Sequence, residues 1–123
     1  MNSEQKEISL CRIRNLQTEI LHFENSFQKQ FGFSLNDGMV LCILSSEKEL
    51  TCGSLSERLS LSPSNTSKIL SHLEKQKYIM RKLGKEDKRQ MLFSITDKGL
   101  GMLQKINSTC EIPAELLDFI ARI

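Results

Sequence analysis

Residues 61–74, LSPSNTSKILSHLE, begin a predicted helix with small polar side chains and no acid. Ser62 is a favourable N-cap because its hydroxyl accepts a free backbone N–H, and Pro63 fits the first helical position. The helix macrodipole favours Asp or Glu in a first turn, yet this turn contains only Ser, Asn, Thr and Lys. Hydroxyl, amide and ammonium groups can donate hydrogen bonds to phosphates and base edges, whereas a carboxylate repels phosphate. The composition therefore favours contact with a polyanion.

Positive charge is concentrated around and after this helix. The segment from Lys68 to Arg89 has eight Lys or Arg residues and three acids, a net charge of +5 in a chain whose total is +2. A basic block in an otherwise acidic chain is typical of proteins that bind nucleic acid. A solvated surface of mixed charge is the alternative interpretation.

Length and composition restrict the class of protein. The 123 residues, 39% hydrophobic and 26% charged, predict one globular domain over 1–123. Because the chain shows neither a long apolar stretch nor an apolar N-terminal segment, we expect a cytoplasmic protein without membrane partners. Four cysteines without a C-x-x-C pair predict reduced thiols, and neither histidine stands at a zinc-ligand spacing from them. We expect no metal, no cofactor and no enzymatic activity, since no nucleophile–base pair, phosphate loop or paired-carboxylate site is evident.

Apolar spacing predicts the helices before and within the polar segment. A heptad pattern from Ile13 to Phe27 predicts a first helix over about 6–30, ending at Gly32. A second helix, capped by Ser34 or Asn36, should turn Met39, Val40, Ile43 and Leu44 inward, with Cys42 in the core. A short helix over 54–60 should bury Leu55 and Leu59. The next helix, 63–76, should bury Thr66, Ile69, Leu70 and Leu73.

The apolar period then changes from helical to alternating. Residues 78–83 and 90–95 predict two strands joined by the charged segment 84–89, which is a β-hairpin with a charged tip. Thr96 should cap a fifth helix and Pro113 should begin a last one. The order of elements predicts a mainly α fold with a small β-hairpin wing (α+β), which is a winged helix-turn-helix. Its core would span 34–96, flanked by N- and C-terminal dimerisation helices in 6–31 and 97–123.

In a helix-turn-helix, the second helix enters the major groove of double-stranded DNA with its N-terminus first. Arg89 at the wing tip is expected in a minor groove, with Asp87 holding its guanidinium in a bidentate pair, and lysines are expected on phosphates. The alternative interpretations are an ordinary surface helix for residues 63–76 and a solvated turn for residues 84–89. The predicted DNA-binding residues are Ser62, Ser64, Asn65, Ser67, Lys68 and His72 of recognition helix 63–76, and Lys85, Asp87, Lys88 and Arg89 of wing 84–89.

Three consecutive segments together resemble the MarR family of bacterial transcription regulators. LSERLSLS is similar to the family's first helix-turn-helix element, and SNTSKILSHLEKQKYI is similar to its recognition helix. GKEDKRQMLFSITDKG resembles its wing, including a D-x-R at 87–89 and a T-x-K-G at 96–99. The resemblance implies a homodimer with interleaved terminal helices that binds a pseudo-palindromic operator, and we expect the protein to act as a repressor. It also places Ser64, Asn65, Ser67 and Lys68 at base- and phosphate-contacting positions.

The resemblance suggests two ways in which binding could be switched. Members of the family often release DNA on binding a small aromatic effector, which Phe23, Phe27, Phe31 and Met39 could contact, although such a stripe also fits a plain core. Some members sense peroxides through cysteines near the first and last helices, where Cys11 and Cys110 stand in this chain. A protein–protein adaptor is a further alternative, which the polar recognition helix disfavours.

Overall fold

The computed structural model describes the backbone of residues 3–123 and the side chains of residues 9–123. The fold is mainly α-helical with one small antiparallel sheet, as predicted, and it divides into two compact units. The elements, in chain order, are α1 (Ser3–Phe31), α2 (Leu35–Ser46), β1 (Leu50–Thr51), α3 (Cys52–Leu59), α4 (Pro63–Lys75), β2 (Ile79–Leu83), β3 (Met91–Ile95), α5 (Asp97–Thr109) and α6 (Ala114–Arg122).

The terminal unit consists of α1, continued to Phe33, together with Cys110–Ile123. Helix α1 ends as predicted at Gly32, whose φ of +78° only glycine adopts easily and whose N–H bonds the Gln28 carbonyl at 2.9 Å. Helix α6 packs on α1, but both helices keep apolar side chains exposed to solvent. These exposed side chains are Leu10, Ile13, Ile20 and Leu21 on α1, and Leu117, Phe119 and Ile120 on α6.

The central unit, Ser34–Thr109, begins with a capping box. The Ser34 hydroxyl accepts the Asp37 N–H at 3.2 Å, and the Ser34 N–H donates to the Asp37 carboxylate at 2.8 Å. The predicted inward face of α2 is partly wrong, since Leu41 is fully buried whereas Met39 is 42% exposed. The predicted core position of Cys42 is also wrong, because its side chain is exposed. Helix α2 is apolar nearly all round, so its sequence period does not select one face.

The sheet has the order β1-β3-β2, with antiparallel pairing throughout. The predicted hairpin is confirmed as β2 and β3, in which Arg81 stands opposite Phe93. Strand β1 pairs with the other edge of β3, where Leu50 also faces Phe93. Helix α3 starts two residues earlier than predicted because the Thr51 hydroxyl caps it by accepting the Ser54 N–H at 3.1 Å.

The start of α5 is joined to the segment between α4 and β2. The Thr96 hydroxyl accepts the Gly99 N–H at 3.1 Å and lies 2.7 Å and 3.0 Å from the carbonyl oxygens of Lys77 and Tyr78. The Lys98 ammonium donates to the Gln76 carbonyl at 2.7 Å and lies over the Tyr78 ring. The T-x-K-G sequence at 96–99 therefore joins α5 to the end of α4.

Gly99 permits this close approach. A Cβ at this position would lie 2.3 Å from the Tyr78 carbonyl oxygen, which is backbone and cannot move aside alone. We therefore expect Gly99→Ala to lower the free energy of unfolding by about 3 kcal/mol, measured by urea denaturation. Gly101 in the same helix is the matched control, since a Cβ there meets nothing within 4 Å. Gly101→Ala should stabilise the chain by about 0.5–1 kcal/mol, and equal effects of the two substitutions would contradict the close contact.

Candidate nucleic-acid interface

The first turn of α4 is fixed by Ser62 and Thr66. The Ser62 hydroxyl accepts the Asn65 N–H at 3.1 Å, which is the predicted N-cap. The Ser62 carbonyl accepts both the N–H and the hydroxyl of Thr66, at 3.0 Å and 2.9 Å. Thr66 is completely buried, so its polar side chain is satisfied inside the helix that carries it. The burial of Thr66 together with Leu70 and Leu73 fixes the rotation of α4 about its axis.

The opposite face of α4 is polar and open to solvent. Pro63 has no N–H, and the Ser64 N–H has no acceptor inside the helix, as geometry requires at this position. The first turn contains no acid, so the positive end of the helix macrodipole is not compensated by its own side chains. The exposed predicted contacts on this face are Ser64, Asn65, Ser67, Lys68 and His72.

A three-residue turn connects α3 to α4, as a helix-turn-helix requires. Ser60 adopts a left-handed conformation with φ of +55°, and the Leu61 N–H bonds the Ser56 carbonyl at 3.1 Å. The buried Ser56 hydroxyl donates to the Cys52 carbonyl at 2.8 Å within α3. Leu55 is fully buried on α3, which packs directly against α4. The turn and this packing hold the exposed face of α4 in place.

The wing between β2 and β3 is closed by backbone hydrogen bonds. The Gly84 N–H donates to the Gln90 carbonyl at 2.8 Å, and the Gln90 N–H donates to the Asp87 carbonyl at 3.0 Å. A Cβ on Gly84 would lie 2.7 Å from the Asp87 carbonyl oxygen, so this close turn requires glycine. The exposed side chains of Lys85, Lys88 and Arg89 extend from the turn.

The Asp87 carboxylate bonds the backbone of Arg89 rather than its guanidinium, which corrects the predicted role of Asp87. Its carboxylate accepts the backbone N–H of Arg89 at 2.9 Å. Among the ion pairs of the described residues, there is none between this carboxylate and the Arg89 guanidinium. An Asp side chain bonded to the N–H two residues later stabilises a turn, so Asp87 orders the backbone that carries Arg89. The guanidinium itself stays available to an external anion.

Two ion pairs neutralise part of the basic block. Arg81 on β2 bonds Glu74 on α4, and Lys82 bonds Glu49 just before β1. Neighbouring strand residues point to opposite faces, so these pairs contact β2 from both sides. Neither pair is predictable from the sequence, because the partners are close only in the folded chain. Within the side chains that the structure describes, no such pair involves Lys68, Lys85, Lys88 or Arg89, which carry the outward positive charge.

Comparison with known proteins identifies this architecture. Residues 33–91, which include α2, α3, α4 and the wing, match the model of the MarR family. The Escherichia coli HTH-type transcriptional regulator PapX is 34% identical over 88 residues, which are 68% of this chain and 54% of PapX. The chain belongs to the MarR family. It spans about half the length of the curated relatives it matches, and these are named as transcriptional regulators rather than enzymes.

Solved structures of the same fold support the assignment. AbsC of Streptomyces coelicolor, a MarR family transcriptional regulator, is similar with a TM-score of 0.76 at 20% identity, over 88% of this chain and 74% of AbsC. S. aureus MepR in a complex with DNA is similar with a TM-score of 0.64 at 22% identity, over 78% of this chain and 79% of MepR. At these identities, the likeness shows that the MarR fold is shared.

The proposed effector residues of this MarR-family chain lie in different units. Phe27 and Phe31 are buried in the terminal unit with ring centroids 4.7 Å apart, and Phe23 lies 6.2 Å from Phe27. Aromatic packing of this kind accounts for Phe27 and Phe31 as core, whereas Phe23 is half-buried. Met39 is exposed on α2 of the central unit. The contact of these residues with an effector stays a prediction.

The redox prediction depends on two thiols of the terminal unit. Cys11 is exposed, whereas Cys110 is half-buried and its burial raises the pKa of its thiol above the ordinary value. A raised pKa lowers the fraction of reactive thiolate at neutral pH, which disfavours Cys110 as a redox centre.

Among the described residues there is no cluster of His, Cys, Asp or Glu suited to a metal ion. None of the helices described is long and apolar enough to span a membrane.

Thiol labelling tests whether burial lowers the reactivity of Cys110, with Cys42 as an exposed reference. In the folded protein at pH 8, iodoacetamide should modify the exposed Cys42 severalfold faster than Cys110, because thiolate is the reacting form. The rates are measured by mass spectrometry of peptides from a time course. In urea the two rates should converge, which is the control. Equal rates in the folded protein would contradict the effect of burial on Cys110.

Proposed function

We propose that this MarR-family chain is a sequence-specific DNA-binding transcriptional regulator. The observation that carries the proposal is the acid-free, exposed first turn of α4, held in the same compact unit as a cationic wing. A helix N-terminus without acids is suited to phosphate and base edges, and the wing adds separate positive charge. The fold shared with MepR, which has been solved with DNA, supports the same use of this surface.

In the proposed complex, α4 enters the major groove with its N-terminus first. Asn65 pairs with a base edge, as an amide can with adenine, and Ser64 and Ser67 allow close approach of the backbone. Lys68 and His72 contact phosphates. The wing follows the backbone, with Lys85 and Lys88 on phosphates and Arg89 in the adjacent minor groove, where negative potential attracts arginine.

A homodimer is part of the proposal. Helices α1 and α6 expose a group of large apolar side chains, including Ile13, Leu21 and Phe119, which a second copy of the chain would cover. A two-fold dimer presents two recognition helices to a pseudo-palindromic operator. Occupancy of an operator within a promoter blocks transcription, so the proposed role is repression. Release from DNA by a small aromatic effector is a further part of the proposal.

The proposal is tested by fluorescence anisotropy on DNA upstream of the chain's own gene, with a shuffled duplex as the control. We expect a preference of about a thousandfold for the native fragment, with two chains per duplex in sedimentation. Equal and steeply salt-dependent binding to both duplexes would contradict sequence specificity. Absence of binding at low salt would overturn the proposal and favour the adaptor alternative.

Two substitutions separate base contacts from phosphate contacts. Asn65→Ala should lower the preference for the native fragment by about 1–3 kcal/mol while leaving non-specific binding nearly unchanged. Lys85→Ala should weaken binding to every duplex and reduce the salt dependence by about one phosphate contact. Both side chains are exposed, so neither change should unfold the chain. The docking arrangement is wrong if the two variants show the same pattern in anisotropy titrations at three salt concentrations.

A further inference from the structure

The link between the recognition helix and the wing is an exposed ion pair. The Arg81 Nε donates to a carboxylate oxygen of Glu74, which lies in the last turn of α4. The Arg81 guanidinium also lies over the buried Phe93 ring of β3, 5.4 Å from its centroid. Arg81 therefore contacts the helix through its charge and the sheet through its flat face.

The backbone between α4 and β2 is short and closely bonded. Lys77 adopts a left-handed conformation with φ of +66°, and its N–H bonds the Glu74 carbonyl at 2.9 Å. The Tyr78 N–H bonds the Leu73 carbonyl at 3.0 Å. These bonds fix the point where β2 leaves α4, and the Glu74–Arg81 pair adds a second point of attachment along the strand. These two attachments to α4 add to the pairing of β2 with β3, and together they define the direction of β2 relative to the helix.

We propose that Glu74 and Arg81 are positioning residues that set the direction of the wing relative to the recognition helix, and so the specificity of DNA binding. This inference rests on the proposed function. Lys85 is four residues beyond Arg81, which is about 13 Å along a strand. A tilt of about ten degrees at Arg81 displaces the wing tip by about 2 Å, more than the distance range of a hydrogen bond.

The effect on DNA binding that we expect from losing the Glu74 carboxylate is the opposite of what charge alone predicts. Removing an acid beside a DNA-binding surface raises the net positive charge, which by itself strengthens binding to any duplex. Loss of a positioning contact instead weakens binding only where both the helix and the wing must fit one sequence. Exposed ion pairs contribute little to folding stability, so substitutions at Glu74 leave the fold intact.

Glu74→Ala and Glu74→Gln separate charge from contact. Both raise the charge by one, but only glutamine keeps an acceptor for Arg81. We expect Glu74→Ala to lower the preference for the native fragment about threefold to tenfold, with non-specific affinity equal to or above that of wild type. Glu74→Gln should retain most of the preference. Glu57→Ala is the matched charge control, since Glu57 is an exposed acid on α3, and it should leave the preference unchanged.

A second measurement does not depend on DNA. Residual dipolar couplings of the free protein report the orientation of β2 relative to α4. Glu74→Ala should change these couplings or reduce their range in the wing, whereas Glu57→Ala should not. Unchanged couplings, or equal preferences in the Glu74→Ala and Glu57→Ala variants, would overturn the inference. If wild type shows no preference between duplexes but the couplings change, the positioning role stands and the proposed function fails.

Discussion

The burial of Thr66 is the constraint on which the candidate interface depends. Its side chain is completely excluded from solvent and bonds the carbonyl of Ser62, the residue that caps the same helix. A helix has one rotation about its axis, so fixing Thr66 inward places Asn65 and Lys68 outward. The polarity of the exposed face would have no functional consequence if α4 were free to turn. The buried Thr66, together with Leu70 and Leu73, thus determines which side chains of α4 face solvent.

The C-terminal end of α4 is also fixed by hydrogen bonds. Thr96 and Lys98 bond the backbone of residues 76–78, and Gly99 lets the start of α5 approach it closely, so α5 covers the end of the recognition helix. The carbonyls at a helix C-terminus carry partial negative charge, which the Lys98 ammonium complements. Both ends of α4 are therefore fixed by hydrogen bonds to neighbouring residues.

Charge in the basic block serves two different purposes. Arg81 and Lys82 are neutralised by Glu74 and Glu49, and they hold β2 from both faces of the sheet. Arg89 and the exposed lysines extend toward solvent from α4 and from the wing tip. A net charge summed over the segment does not distinguish these groups. In the proposed interface, the positive potential comes from Lys68, Lys85, Lys88 and Arg89, for which the described side chains show no ion pair.

The sequence by itself determined the order of elements, most helix bounds and the polar face of α4. These depend on local signals, such as the Ser62–Pro63 start, the Gly32 end and the change to alternating strand residues after α4. Tertiary structure alone decided which face of the apolar helix α2 is buried, with Leu41 inward and Met39 and Cys42 outward. It also decided that Leu50 pairs with Phe93 and that Arg81 meets Glu74. Strand pairing and ion pairing join residues distant in the chain, and their energies depend on positions that the whole fold sets.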